Sequence, residues 1–291
     1  MTANLKTGPD EYAAPTTIEE TVKLLADGDG RILAGGTDLM IQTREGRTPY
    51  RKKLVNVRRV EDMHGVSRDG NTIRIGALTT MTDILNNTFL KEMAPVLCQT
   101  ADQFASGQIR NAATIGGNLC NASPAGDTIP PLLVLDAEVE LRSWDGASVT
   151  CRNVPLKDFF TAPGKTVIQD NELLTSICLE IPEQRSHARF LKSGPRPALE
   201  ISIVSMAMNA INDAGTLFHV RLALGAVAPT PVRAYKTEKF LELKTITPDL
   251  IDEAVDILME EIDPIDDVRA TAWYRRHLAS VYLRRLLGDD G

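Results

Sequence analysis

The chain has 291 residues, 43% of them hydrophobic and 24% charged, a globular composition with room for two or three compact units. Its net charge of -7 and pI near 5.3 exclude a polyanion-binding surface, because neutralising phosphates takes a surplus of Lys and Arg. Met1 to Asp10 has neither the basic start nor the apolar centre of a signal peptide, and no later run is apolar for the length of a membrane span. A soluble cytoplasmic protein is expected, with no nucleic-acid partner and no membrane insertion.

In chain order, Thr17-Ile18-Glu19-Glu20 has the spacing of a capping box, and Val22, Leu24 and Leu25 follow before Gly28 supplies a stop, which predicts a short helix. Arg31 to Ala34 reads as a buried strand running into Gly35-Gly36-Thr37-Asp38-Leu39, and Leu54 to Val57 reads as a second strand. Together these make a small α/β part over 1–57. Over 58–182 the texture changes to α+β. Ile73 and Ile75 alternate with polar residues, Val139 to Arg142 and Val149 to Cys151 repeat the strand pattern, and helices are predicted over Thr82 to Leu90 and Lys91 to Phe104. After a linker from Pro182 to His187, Ile203 to Ile211 and Leu217 to Val227 are β-rich runs joined by Asn212-Asp213-Ala214-Gly215, a hairpin signal. Helices are then predicted over Lys236 to Leu243, Pro248 to Ile262 and Ala270 to Leu287, giving a third α+β unit over 187–291.

Metal-ligand spacing is absent. Cys98, Cys120, Cys151 and Cys178 are each more than twenty residues apart, and His64, His187, His219 and His277 are equally scattered. Reduced, buried thiols are the plain reading of the cysteines. No G-x-G-x-x-G follows a predicted strand, and Gly164-Lys165-Thr166 lacks the upstream glycine of a phosphate loop, since Phe159 stands there.

Two glycine pairs remain, Ala34-Gly35-Gly36-Thr37-Asp38 and Thr114-Ile115-Gly116-Gly117-Asn118. Without Cβ atoms, the N–H groups of such turns can close on an anion, and two turns could clamp a diphosphate. Either pair alone could equally be a tight turn.

These pairs belong to a longer set of runs. Leu33 to Leu39, Gln108 to Asn118, Ser123-Pro124-Ala125-Gly126-Asp127, Glu172-Leu173-Leu174, Phe190-Leu191-Lys192 with Arg196, and Leu222 to Ala234 occur in one order across nearly the whole chain. In that order they resemble the FAD-binding medium subunit of the molybdenum hydroxylases, the family of xanthine dehydrogenase and carbon monoxide dehydrogenase. The resemblance implies an α+β fold, with a two-part FAD-binding domain of the vanillyl-alcohol-oxidase/PCMH type followed by a C-terminal domain of β-sheet plus helix bundle. It implies FAD in this chain, and partner subunits carrying [2Fe–2S] clusters (the small one) and the molybdopterin cofactor (the large one), as a heterotrimer or a dimer of heterotrimers.

By the same resemblance, Ile32, Leu33, Ala34, Gly35, Gly36, Thr37, Asp38 and Leu39 hold the diphosphate through backbone amides, and Thr114, Ile115, Gly116, Gly117 and Asn118 complete the clamp. Phe104, Asp127, Leu174 and Lys192 match the remaining cofactor contacts. From chemistry alone Phe104 fits core packing as well as a flavin or adenine contact. Asp127 fits a cap for a helix over Ile129 to Leu135 as well as a partner for an FAD hydroxyl. Lys192 fits a surface lysine as well as a cation at the flavin pyrimidine edge. The Ala228 to Ala234 run, with Pro229 and Pro231, should end a strand and join sheet to helices. The cysteine-rich insertion that carries an extra iron–sulfur cluster in one branch of the family is absent, as Cys120 runs directly to Ser123. The alternative to an electron-relay subunit is a free-standing FAD-dependent oxidase or reductase with its own substrate site.

Overall fold

The computed structural model describes residues 8–181, 186–194 and 200–288; Arg196 and the beginning of the linker at Pro182 lie outside the described residues. The first part of the chain is a parallel three-stranded sheet. Strand β1 (Glu11–Ala13), helix α1 (Ile18–Leu25), β2 (Gly30–Leu33), helix α2 (Leu39–Arg44) and β3 (Lys53–Asn56) give the order β1-β3-β2, so β2 is an edge strand. The Thr17 hydroxyl caps α1 by accepting from the Glu20 amide, but the Glu20 carboxylate reaches back to Thr16 rather than to Thr17. The reciprocal half of the expected capping box is thus displaced by one residue.

The next part holds β4 (Val66–Asp69), β5 (Thr72–Gly76), six helices, α3 (Met81–Asn86), α4 (Thr88–Met93), α5 (Pro95–Asp102), α6 (Gly107–Arg110), α7 (Ile115–Asn121) and α8 (Ile129–Val134), then β6 (Glu138–Trp144) and β7 (Val149–Pro155). A two-stranded hairpin, β8 (Phe160–Ala162) and β9 (Lys165–Thr166), precedes β10 (Leu173–Glu180). The antiparallel order is β4-β5-β10-β6-β7, which puts β10 at the centre. The two helices expected over Thr82 to Phe104 are three shorter ones. The Asn87 side chain caps α4, and Pro95 starts α5 because a proline inside a helix would remove an N–H and clash with the preceding turn.

The last part is an antiparallel sheet, β11 (His187–Ser193), β12 (Val204–Asp213), β13 (Thr216–Gly225) and β14 (Val232–Arg233), followed by α9 (Tyr235–Leu241), α10 (Pro248–Glu261) and α11 (Ala272–Leu287). The expected hairpin is present. Ala214 and Gly215 both have positive φ, as the tight β12–β13 turn requires, and Asn212 accepts from the Gly215 amide.

This sheet separates two cores. Phe190, Ala207 and Ala223 lie side by side in register and join the core of the preceding parts, while Met206, Met208, Leu222 and Leu224 join the core under α10 and α11. The two small alanines let α8, buried along its whole length, pack directly on the sheet. Polar bonds fix the same junction. Arg233 donates to the Leu133 carbonyl and to Asp136 at 2.7 Å, and also pairs with Glu238, while Arg221 reaches Asp136 from the neighbouring strand. The Ala228 to Ala234 run therefore does join sheet to helices, and its arginine ties both to α8.

Candidate functional site

The Gly35–Gly36 corner turns the chain from the end of β2 into α2. Gly36 has φ +75, a conformation L side chains rarely adopt, and a Cβ on Gly35 would strike the carbonyl of Ala112. The segment entering the second glycine corner thus packs against the first corner, backbone to backbone. Five successive amides of the first corner, Gly35, Gly36, Thr37, Asp38 and Leu39, donate to no acceptor among the described residues. Unspent amides lining a concave turn make an anion-binding surface.

The second corner is built differently from the first. The Ile115 amide donates to Thr79, the Gly116 amide to Ala77, the Gly117 amide to the Thr114 hydroxyl and the Asn118 amide to the Thr114 carbonyl. The four amides from Ile115 to Asn118 are thus spent in anchoring and capping α7. Its glycines serve close approach instead, since a Cβ on Gly116 would meet Ala77 at 2.6 Å and one on Gly117 would meet the Thr114 hydroxyl at 2.7 Å. What this corner offers a ligand is a flat wall.

Both corners open on one cavity of about 790 Å³, within the range of about 300–1,000 Å³ usual for small-molecule and cofactor sites. Ile32, Ala34, Gly35, Gly36, Thr37, Asp38, Leu39, Phe104, Thr114, Gly116, Gly117, Asn118 and Leu174 line it. Phe104 is carried on a loop whose carbonyls, at Phe104 and Ala105, both accept from the Arg110 guanidinium at 2.9 and 3.1 Å. Leu174 comes from the central strand β10, where a register shift between Leu174 and Ser176 breaks the pairing with β6. The bulged Thr175 accepts from the Ala77 amide and donates to Glu140. Burial pushes the Asp38 carboxyl up.

Four residues are not brought to that lining. Leu33 does not reach the lining, and Ile115 is fully buried in the core under α7. Asp127 and Lys192 pair with each other at 2.7 Å with both side chains largely buried, and Asp127 also accepts from Ser202. Asp127 does not cap α8, and Lys192 is not a surface lysine. Burial pushes the Asp127 carboxyl up, against the opposing pull of Lys192 and Ser202. The pair stands behind the cavity wall, because Thr128, next in the chain, donates to Asn118 at 2.7 Å.

Other lining residues carried no signal in the sequence. Gln42 and Thr48 form a chain of side-chain hydrogen bonds to Asn121 at the end of α7, and Arg31, Arg51 and Lys165 place cations along one side. Cys120 opens on the cavity and is exposed, unlike the buried thiol expected from the sequence. No group of three or more His, Cys, Asp or Glu side chains among the described residues could hold a metal ion, and no helix among them is long and apolar enough to cross a membrane.

Residues 5–184 match the family described as FAD binding domain in molybdopterin dehydrogenase, and residues 189–289 match CO dehydrogenase flavoprotein C-terminal domain. The sequence is 30% identical over 282 residues to the xanthine dehydrogenase FAD-binding subunit of Escherichia coli O157:H7, covering 96% of this chain and 94% of that one. It is 28% identical over 279 residues to the carbon monoxide dehydrogenase medium chain of Hydrogenophaga pseudoflava, with 95% of each covered. Superposition on the solved carbon monoxide dehydrogenase of that organism gives a TM-score of 0.89 at 27% identity, over 95% of both chains. The quinoline 2-oxidoreductase of Pseudomonas putida 86 gives 0.87 at 26% identity, again over 95% of both.

Proposed function

The chain belongs to the family of FAD-binding subunits of molybdopterin dehydrogenases, and on that premise we propose that it relays electrons from [2Fe–2S] clusters of a small partner subunit to an external acceptor such as NAD. A large molybdopterin subunit would transform the substrate, in a cytoplasmic heterotrimer or a dimer of heterotrimers. The observation that carries this reading is the row of five unbonded amides, Gly35 to Leu39, on a cofactor-sized cavity packed against a second glycine corner. When bound there, FAD supplies the conversion between one-electron and two-electron transfer.

The protein's own residues bind and orient. The amides of Gly35 to Leu39 would take the diphosphate, in place of the side-chain cations a nucleotide site otherwise needs. Gly116 and Gly117 let the opposite wall approach without side chains, and Phe104 and Leu174 supply apolar surface for a ring. Leu33, Ile115, Asp127 and Lys192 we assign to supporting that surface. The buried Lys192–Asp127 pair fixes the turn from which Thr128 orients the Asn118 amide group. We place the division between the two parts of the FAD-binding domain at 57/58 and the start of the C-terminal domain at 187.

Purified without added cofactor, the chain should carry visible flavin absorbance, or recover it when stripped protein is given FAD. A colourless protein that ignores FAD would refute the assignment. Affinity capture of the tagged chain from its own cells should co-purify two further subunits, one with iron–sulfur and one with molybdopterin absorbance. Capture of the chain alone, with substrate turnover by it, would replace the relay with a self-contained flavoenzyme.

A further inference from the structure

Three cations line the cavity, and they are not equivalent. Arg51 is spent, donating to the Gly28 carbonyl at 2.7 Å and pairing with Asp170. Lys165 stands exposed on the short β8–β9 hairpin. Arg31 is half-buried, and its guanidinium makes no hydrogen bond or ion pair among the described residues, although its Nε is enclosed by protein. Its surroundings oppose the charge. Burial comes first and the nearby charge of Arg51 second, with only Asp170 pulling the other way. A partnerless enclosed donor is costly, and native proteins rarely leave one without a use.

Position selects the use. Arg31 lies four residues before Gly35, on edge strand β2, which ends at Leu33, so at most about 13 Å of chain separates them at roughly 3.3 Å per residue. A dinucleotide whose diphosphate rests on the Gly35 to Leu39 amides therefore meets Arg31 one group further along, not at the diphosphate. The apolar surface a flavin ring needs comes from Phe104, Leu174 and Leu78. The charges that act on Arg31 are those of Arg51 and Asp170, a polar setting suited to a nucleoside. A guanidinium can stack its plane on a purine while its N–H groups meet ribose or phosphate oxygens.

We propose that Arg31 recognises the adenosine-phosphate half of the cofactor and sets the preference for FAD over flavin mononucleotide. The inference rests on the reading of the cavity as an FAD site.

The test is titration of the flavin-free, full-length chain with FAD, flavin mononucleotide and ADP, following flavin fluorescence and, for ADP, displacement. Arg31→Met keeps the stem and removes the charge. It should weaken FAD and ADP about tenfold or more, leave flavin mononucleotide unchanged, and leave the melting temperature of the flavin-free protein where it was. Arg31→Gln serves as a second variant should the methionine lower that temperature. Wild-type affinity for FAD and ADP in a folded variant overturns the proposal, as does an equal loss for FAD and flavin mononucleotide. If the wild-type chain binds no flavin at all, the reading of the cavity itself fails, and this inference falls with it.

Discussion

Gly35 and Ala112, 77 positions apart in the sequence, are packed so closely that a single methyl group on Gly35 would overlap the Ala112 carbonyl oxygen. The obstacle is backbone, so no rotamer change relieves it. Gly35→Ala should therefore push the two corners apart. The expected result is a folded protein destabilised by about 1–3 kcal/mol, as for other overpacked sites, with most of its flavin lost. Denaturant midpoint and the ratio of flavin to protein absorbance check both, and a fully flavinated Gly35→Ala protein would contradict the close packing.

Gly36 offers a contrasting test at the next position. A Cβ there would meet only the Leu33 and Met40 side chains, at 3.1 and 3.3 Å, which can yield, but φ +75 cannot be kept by a β-branched residue without strain. Gly36→Val should re-aim the free amides by flipping the local backbone, abolishing flavin retention. Gly36→Asn, which tolerates left-handed backbone, should retain part of it. Equal flavin content in the two variants would show that backbone direction at Gly36 is unimportant.

The buried pair Lys192–Asp127 predicts a non-additive result. Lys192→Met strands a carboxylate enclosed by protein and should cost about 3–5 kcal/mol. Adding Asp127→Asn removes the stranded charge while keeping an acceptor for Ser202, and part of the loss should return. A double variant that loses as much stability as the two single changes added together would show that the pair does not act as a unit.

The elements legible in the sequence are those whose causes are local. The glycine pair Gly35–Gly36 after an apolar strand, the Thr17 hydroxyl three residues before its capped amide, and the Asn212 to Gly215 turn act within a few residues, and each falls where expected. What was not legible depends on distant partners. The central place of β10 is set by pairing with strands that begin about 100 and about 35 residues earlier, at Thr72 and Glu138, and neither partner marks its sequence. The amides of Gly116 and Gly117 resemble those of Gly35 and Gly36 on paper, yet contact with Ala77 spends the Gly116 amide on the neighbouring backbone. Arg31 looks like any strand arginine, because only the folded chain shows that Arg51 has taken the nearby acceptors.

Glu140 links acid stability to the cavity wall. Burial pushes its carboxyl up, but bidentate donation from Arg74, the Thr175 hydroxyl and the charge of Arg142 outweigh burial and hold it at about 2, against 4.5 when unperturbed. A carboxyl depressed in the folded state adds stability in full above its unfolded value and loses it as pH falls through the folded one. The window is thus about pH 4.5 down to about 2, and the amount roughly 3 kcal/mol. Glu140→Gln should lower stability above pH 5 and flatten the decline across that window, seen in denaturant midpoints against pH. Because Thr175 is the bulged residue between Leu174 and Ser176 and also holds the Ala77 amide, loss of the carboxylate loosens Leu174 and the wall behind Gly116 together. Flavin should accordingly dissociate from Glu140→Gln at a higher pH than from the wild type on acidification. Coincident flavin release in the two proteins would separate the sheet interior from the cofactor wall.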